Sequence, residues 1–563
     1  MGSSTTRGQD LEQVGKKDGF KLTGGLSAYT GFYSSDLDDP RMSPLTWGLS
    51  ARVNVSIYDL QIPFTLVLSE RERDFRQPFN QYGVSPRYKW VRLHLGYRTM
   101  QFSDLTLGGQ RFFGAGLELT PGKLRFGAMY GRLRKEIYQD TTIDAVVEPA
   151  FERWAMAAKM GVGTEASHLD LIVFRAEDRV DANAFLRGDY GTAQPEENAV
   201  VGVDVAQSPW KGVQVNVTAA LSLANQGLVP DERSGSGEEV SNNYDSFLFN
   251  LDRGTQHGTA VKGGISYNLR GMVIGAKYDR IDPLFRTLGN YYFMRDVENY
   301  RATLAFGLLK QKLRFQVEGG RQHNDLAHVL AARTERTIAS VNMTYASGKM
   351  YTGSFTWSDF AADLTSVFQA AGTDAVQITQ VSRSLGTNHS FRFRDVGRDR
   401  SHTVDIGGTW QTFSNEGDTA HQSSTNAYTV NMGYRVQLKS RHLTLGITGM
   451  GSRFEAEDQL RLKYGCSVNA RKGFDADRLG VAPRLSAYLN SAEESSGVLS
   501  LVASLGVDRK IGRSQTIGMQ LGYNSRQALG ATDPAQYQVR GQVTYTLTLQ
   551  PPARKATDQS TKP

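Results

Sequence analysis

YQVRGQVTYTLTL, from Tyr537 to Leu549, decides the fold. Tyr537, Val539, Gly541, Val543, Tyr545, Leu547 and Leu549 alternate with Gln538, Arg540, Gln542, Thr544, Thr546 and Thr548, so a strand here has one apolar and one polar face. The same period of two recurs along the chain. Leu45, Trp47, Leu49, Ala51, Val53, Val55 and Ile57 alternate with Thr46, Gly48, Ser50, Arg52, Asn54 and Ser56. Val91, Leu93, Leu95 and Tyr97 oppose Arg92, His94, Gly96 and Arg98, and Tyr428 to Leu438 repeats the pattern. Runs of about ten such residues are the length that crosses a bilayer as a tilted strand. Helical periodicity is absent over any comparable length, which excludes folds built on crossover helices. The pattern predicts an all-β chain, a single large antiparallel transmembrane β-barrel.

Composition agrees without deciding. The chain has 563 residues, 39% of them apolar, and a mean hydropathy of −0.40. A membrane barrel reads this way because only alternate strand residues meet lipid. No stretch is long and apolar enough for a membrane-crossing helix. There are 58 Gly, 24 Tyr and only 16 Pro, which suits twisted strands, membrane interfaces and unbroken ladders. Cys466 is the sole cysteine, so internal disulfides and cysteine-based zinc sites are excluded. The 64 basic and 57 acidic residues are interleaved, which argues against a nucleic-acid groove despite the net charge of +7. The opening MGSSTTRGQDLEQVGKKDGF has no apolar signal core, so export to a bacterial outer membrane implies a signal removed from this chain.

Turn spacing sets the size. Short connections fall at 58–59, 121–122, 164–165, 209–211, 270–271, 310–312, 348–349, 397–400, 440–441, 471–476 and 512–513, with longer polar loops at 226–256, 184–197 and 363–375. Alternating short turns and long loops separate the two ends of an outer-membrane barrel, and this spacing predicts about 24–26 strands. The barrel is expected over 19–550, with 1–18 and the tail 551–563 disordered.

Strand parity fails at residues 75–88, FRQPFNQYGVSPRY. Two readings stand for this segment: a constriction or plug folded into the lumen, with Phe75, Arg76, Phe79, Asn80, Tyr82 and Arg87 as its narrowing residues, or an uncounted strand or outer loop.

No catalytic or metal motif emerges, and no cofactor is expected. The nine histidines are scattered, and Asp231, Glu232, Glu238 and Glu239 lack calcium-loop spacing. No G-x-S-x-G elbow is present. The polar strand faces are more informative: Arg52, Arg92, Arg98, Arg125, Arg314, Arg392, Arg394, Arg435 and Arg540, with Glu318 and Asp405, lie opposite apolar neighbours. In a barrel they point inward, because a charge facing lipid at the midplane costs roughly 2–4 kcal/mol. They make either a positively biased lumen or a set of structural ion pairs bracing the wall. Tyr97, Tyr130, Tyr434, Tyr545, Trp47, Trp357 and Trp410 fall on the apolar faces, where they suit interface girdles.

QPFNQYGVSPRYKWVRLHLGYRTMQFSDLTLGGQRFFGAGLELTPGKLRFGAMYGRL, Gln77 to Leu133, resembles a block of large uncharacterised outer-membrane barrels of Bacteroidetes, and KYDRIDPLFRTLGNYYFMRDVENY, Lys277 to Tyr300, resembles a second block of that family. The resemblance implies an outer-membrane barrel and brings no catalytic residues. The expected function is an outer-membrane channel or translocation pore, plugged or gated by a partner, in contact with outer-membrane lipid. Its solute or secreted substrate is undefined by sequence, and a lipoprotein or other envelope protein is the expected partner. A structural or adhesive barrel is the alternative, and a barrel-embedded hydrolase the third.

Overall fold

The computed structural model describes residues 19–37, 42–70, 80–139, 148–227, 254–330, 332–366, 377–395, 399–416, 423–457, 459–492, 495–530 and 534–549. Alternation along the chain folds into one closed antiparallel sheet. It contains 27 strand segments, of which Gln81–Val84 and Arg87–Tyr88 together fill one place between Leu60–Ser69 and Val91–Gln101. The wall therefore has 26 staves. The first strand, Phe20–Ser35, pairs with the last, Gln536–Leu549, from Gly24↔Leu549 to Ser35↔Gln538. Closure leaves no open strand edge for the bilayer to desolvate.

That broken stave corrects one expectation. Residues 81–88 are wall rather than a plug, and their pairing restores the missing parity. Ser85 and Pro86 interrupt the stave, since proline has no amide to give the ladder, and the Ser85 amide reaches the Pro63 carbonyl at 3.0 Å instead. Asn80 accepts from the Ser69 amide at 2.7 Å. Tyr82 faces outward, its ring within 6.0 Å of Tyr97 and 5.9 Å of Phe113. Arg87 pairs with Gln61 in the wall. Phe75, Arg76 and Phe79 lie outside the described residues, as do the termini 1–18 and 551–563.

Most short connections fall where the sequence places them. Arg270–Gly271, with φ of 50° and 94°, is the left-handed pair that a two-residue hairpin needs. The turn placed at 471–476 sits slightly later: Lys472 and Gly473 stay in the ladder opposite Val481 and Gly480, and Asp475, Ala476 and Asp477 carry the positive φ values.

The outer surface is apolar around the wall. Leu169 and Leu171 are 49% and 53% exposed, and Val430 and Met432 both 60%. A water-soluble protein rarely leaves such a continuous band uncovered, and in hydrocarbon it is satisfied. Aromatic rings edge the band: Tyr130 lies 5.2 Å from Trp154, whose ring has the Arg179 guanidinium 4.4 Å above it.

Candidate functional site: the lumen and its constriction

Stepping across the paired strands from Glu318 through Ser340 and Ser358 to Ser384 keeps one face throughout, and that face is the lumen. By the same register parity it carries Arg52, Arg92, Arg98, Arg125, Arg314, Glu318, Arg392, Arg394, Arg435 and Arg540. Their surroundings divide into two classes.

In the N-terminal part most of the charges are paired with carboxylates, Arg98 being the exception with only a hydroxyl partner among the described residues. Arg92 meets Glu118 at 3.1 Å and Arg125 meets Asp170 at 2.9 Å. Arg98 donates to Thr65 Oγ1 at 2.7 Å, and Glu318 meets Arg301 at 3.5 Å. His168, Asp170 and Asp204 bring ligand-type atoms within 4.8 Å of one another. Arg125 and Lys159 (3.8 Å) already neutralise Asp170 there, so this group reads as a charge network. Arg314 sits at the turn end and donates to the Gln311 carbonyl. In the C-terminal part, Arg392, Arg394, Arg435 and Arg540, and Arg52 beside the closing seam, have no carboxylate partner among the described residues.

A constriction stands against the N-terminal wall, built from two connections that fold inward. The first is Phe102–Leu107, in which Leu105, Thr106 and Leu107 are all fully buried. The second spans Asp282–Asp296, with Phe285 fully buried. Both pack on the lumen faces of the wall, on Met129, Ile172, Phe174, Val200 and Ala260, in one apolar cluster. Hydrogen bonds join the two segments: Thr287 Oγ1 donates to the Thr106 carbonyl at 2.7 Å, and the Gly108 amide to the Gly289 carbonyl at 2.9 Å. A Cβ on Gly289 would lie 2.3 Å from the Thr106 carbonyl oxygen, so only glycine allows this approach.

Asn198 pins the second segment to the wall. Its amide donates to the Leu223 and Arg286 carbonyls at 2.9 and 3.0 Å, and its oxygen accepts from the Leu288 amide at 3.0 Å. All of this is buried, where an unmade bond costs about 1–3 kcal/mol.

Beside the inward segments lies a cavity of ≈ 460 Å³ whose lining includes Arg134, Arg153, Glu196, Arg286, Tyr291 and Arg295. Arg153 forms a two-bond fork with Asp178, 2.7 Å on each arm, and reaches Glu196 at 2.7 Å. Arg134 holds Asp178 at 3.1 Å, and Arg286 contacts Glu196. Three guanidiniums thus share two carboxylates, and Arg295 adds a fourth positive charge to the lining, leaving the narrowing positive. Burial pushes the Arg286 guanidinium below its ordinary range, against the attraction of Glu196.

The sequence alone offers a constriction at residues 75–88 as one of two readings of that segment and does not single out these two segments. Two signals point to them. The lumen-facing positions Ile172, Phe174 and Val200 are apolar, so alternation fails where something covers the wall. The two segments also lie inside the blocks Gln77–Leu133 and Lys277–Tyr300, which the fold brings into contact.

No family model and no curated protein matches this chain. Among solved structures it is similar to the translocation pore of the P pilus usher PapC, at 10% identity and TM-score 0.38, covering 94% of this chain and 99% of that one. It is also similar to Pseudomonas aeruginosa OccK11 (OpdR), at 8% and 0.30 over 94% and 96%, and to a BenF-like porin from Pseudomonas fluorescens, at 10% and 0.28 over 94% and 99%. The barrel itself is read from this chain's own strand pairing.

Proposed function

We propose that this chain is an outer-membrane channel that favours anionic solutes, narrowed on its N-terminal side by the two inward segments. The observation that carries the reading is the set of unpaired guanidiniums on the C-terminal lumen wall. In a water-filled lumen with low-dielectric walls, such charges raise the local concentration of anions. A wall of 26 staves is wide enough to need filling or gating, and the inward segments supply part of that filling. The closed wall and its apolar band support residence in an outer membrane, and the proposed kinship with Bacteroidetes barrels rests on the resemblance of the same two blocks that build the constriction.

Planar-bilayer recording of the purified protein tests this. The expected result is a current whose reversal potential in a KCl gradient reports chloride selectivity. No current from either the intact protein or a variant lacking residues 284–294 would defeat the channel reading. Co-purification from native membranes tests for a lipoprotein partner.

A further inference from the structure

Arg392, Arg435, Arg484 and Arg540 are far apart in sequence but fall on one register line of the wall. Arg392 pairs with Thr403, and Thr403 with Arg435. The line continues through Gly446 and Asn469 to Arg484, then through Ser504 and Gly522 to Arg540 and on to Tyr33. At about 4.8 Å per strand, the guanidinium-bearing positions stand about 10–14 Å apart.

This line is not a level ring. Strands in a barrel tilt by about 35–45°, so a line perpendicular to them climbs along the axis. The register shows the climb directly. Arg392 is next but one to the turn-end residue Arg394, whereas Arg540 lies near Gln536, where its strand begins at the loop end. The row therefore crosses the wall from one rim to the other.

The positions between the guanidiniums are small or hydrogen-bonding: Thr403, Gly446, Asn469, Ser504 and Gly522. Over the upper part of the row they line an open cavity of ≈ 840 Å³ that includes Arg484 and Arg540. Arg484 donates from Nε to Ser467 Oγ at 3.0 Å, which orients its fork without neutralising it. Arg471, on the neighbouring row, is held by Asp508 at 3.3 Å and is the paired exception.

We infer that this row is a binding track for carboxylate-bearing oligosaccharides, which move along the C-terminal wall from one guanidinium to the next. The proposal rests on the channel reading and specifies its substrate class. Guanidinium forks match carboxylates, and the intervening hydroxyl and amide side chains match sugar hydroxyls. A spacing of about 10–14 Å suits a chain long enough to reach a second site before leaving the first.

The test is block of chloride current by a galacturonic-acid oligomer of four to eight units added to one side. Arg484→Gln and Arg540→Gln are each expected to weaken block by about tenfold, the worth of one charge-assisted contact. Arg453→Gln, on the outer face opposite Tyr428, is expected to leave block unchanged, and the chloride current of each variant shows that it has folded. Equal block in all variants, or no block of an anion-selective wild-type current, overturns the track and leaves the channel reading standing. Absence of any current overturns the channel reading itself.

Discussion

Leu60–His323 and Ala332–Leu549 follow the same alternation and belong to one sheet, yet they build different lumen walls. Strands of the first stretch run to at most 14 residues, and their inner faces are covered by folded-in segments and cross-linked by ion pairs. Those of the second run from 14 to 18 residues, beyond the roughly 9–11 needed to cross a bilayer. Their inner faces carry Ser, Thr, Asn, Gln and, Arg471 aside, Arg without a carboxylate partner among the described residues. A buried charge needs a partner, whereas a hydrated one is stable alone and remains available to a ligand. The difference teaches that lumen filling, rather than the barrel scaffold, assigns each arginine its role.

The strongest way to break this comparison is to remove the filling. Deleting residues 284–294 leaves the wall intact and is expected to raise single-channel conductance at least about twofold, since the wall's width would then set the current. An unchanged conductance would mean that the two inward segments do not narrow the path.

Charge removal separates the halves next. Asp178→Asn removes the fully buried carboxylate that Arg134 and Arg153 share and should cost about 3–5 kcal/mol, read as a shift in the urea midpoint of folding into lipid. Arg435→Gln, on the open wall, should stay within about 0.5 kcal/mol. Comparable losses in the two variants would erase the distinction. Asn198→Ala removes the pin of the inward segment and is expected to cost about 1–3 kcal/mol. Its signature is a noisier current and faster proteolysis within 282–296.

The smallest effect is that of salt. Screening lengths fall from about 10 Å at 0.1 M to about 3 Å at 1 M, so anion selectivity set by the open-wall arginines should decline across that range. Selectivity that holds constant would point to the enclosed constriction as the filter.

The outer face was the legible part of this molecule, because lipid imposes one rule on every stave. Alternation and turn spacing were enough to expect a barrel of the observed size and to point the nine arginines inward. Residues 81–88 escaped because Pro86 splits a short stave, and each fragment is too brief to show a period of two. The constriction escaped for another reason. A connection folded inward obeys no periodic rule, and its trace is indirect: apolar Ile172, Phe174 and Val200 on faces that should be polar. Nor does sequence reveal the row from Arg392 to Arg540, since only strand register brings those residues into line.

The contrast between the halves is tested most directly by thiol labelling from bulk solution. In a Cys466→Ala background, a cysteine is placed at Ser504 on the open wall or at Ala157 under the inward segments, where exposure is 5%. A negatively charged methanethiosulfonate should modify position 504 at least about a hundredfold faster than position 157, and faster than its positively charged analogue does, because the nearby guanidiniums attract anions. Equal rates at the two positions, or a preference for the cationic reagent at position 504, would contradict the account.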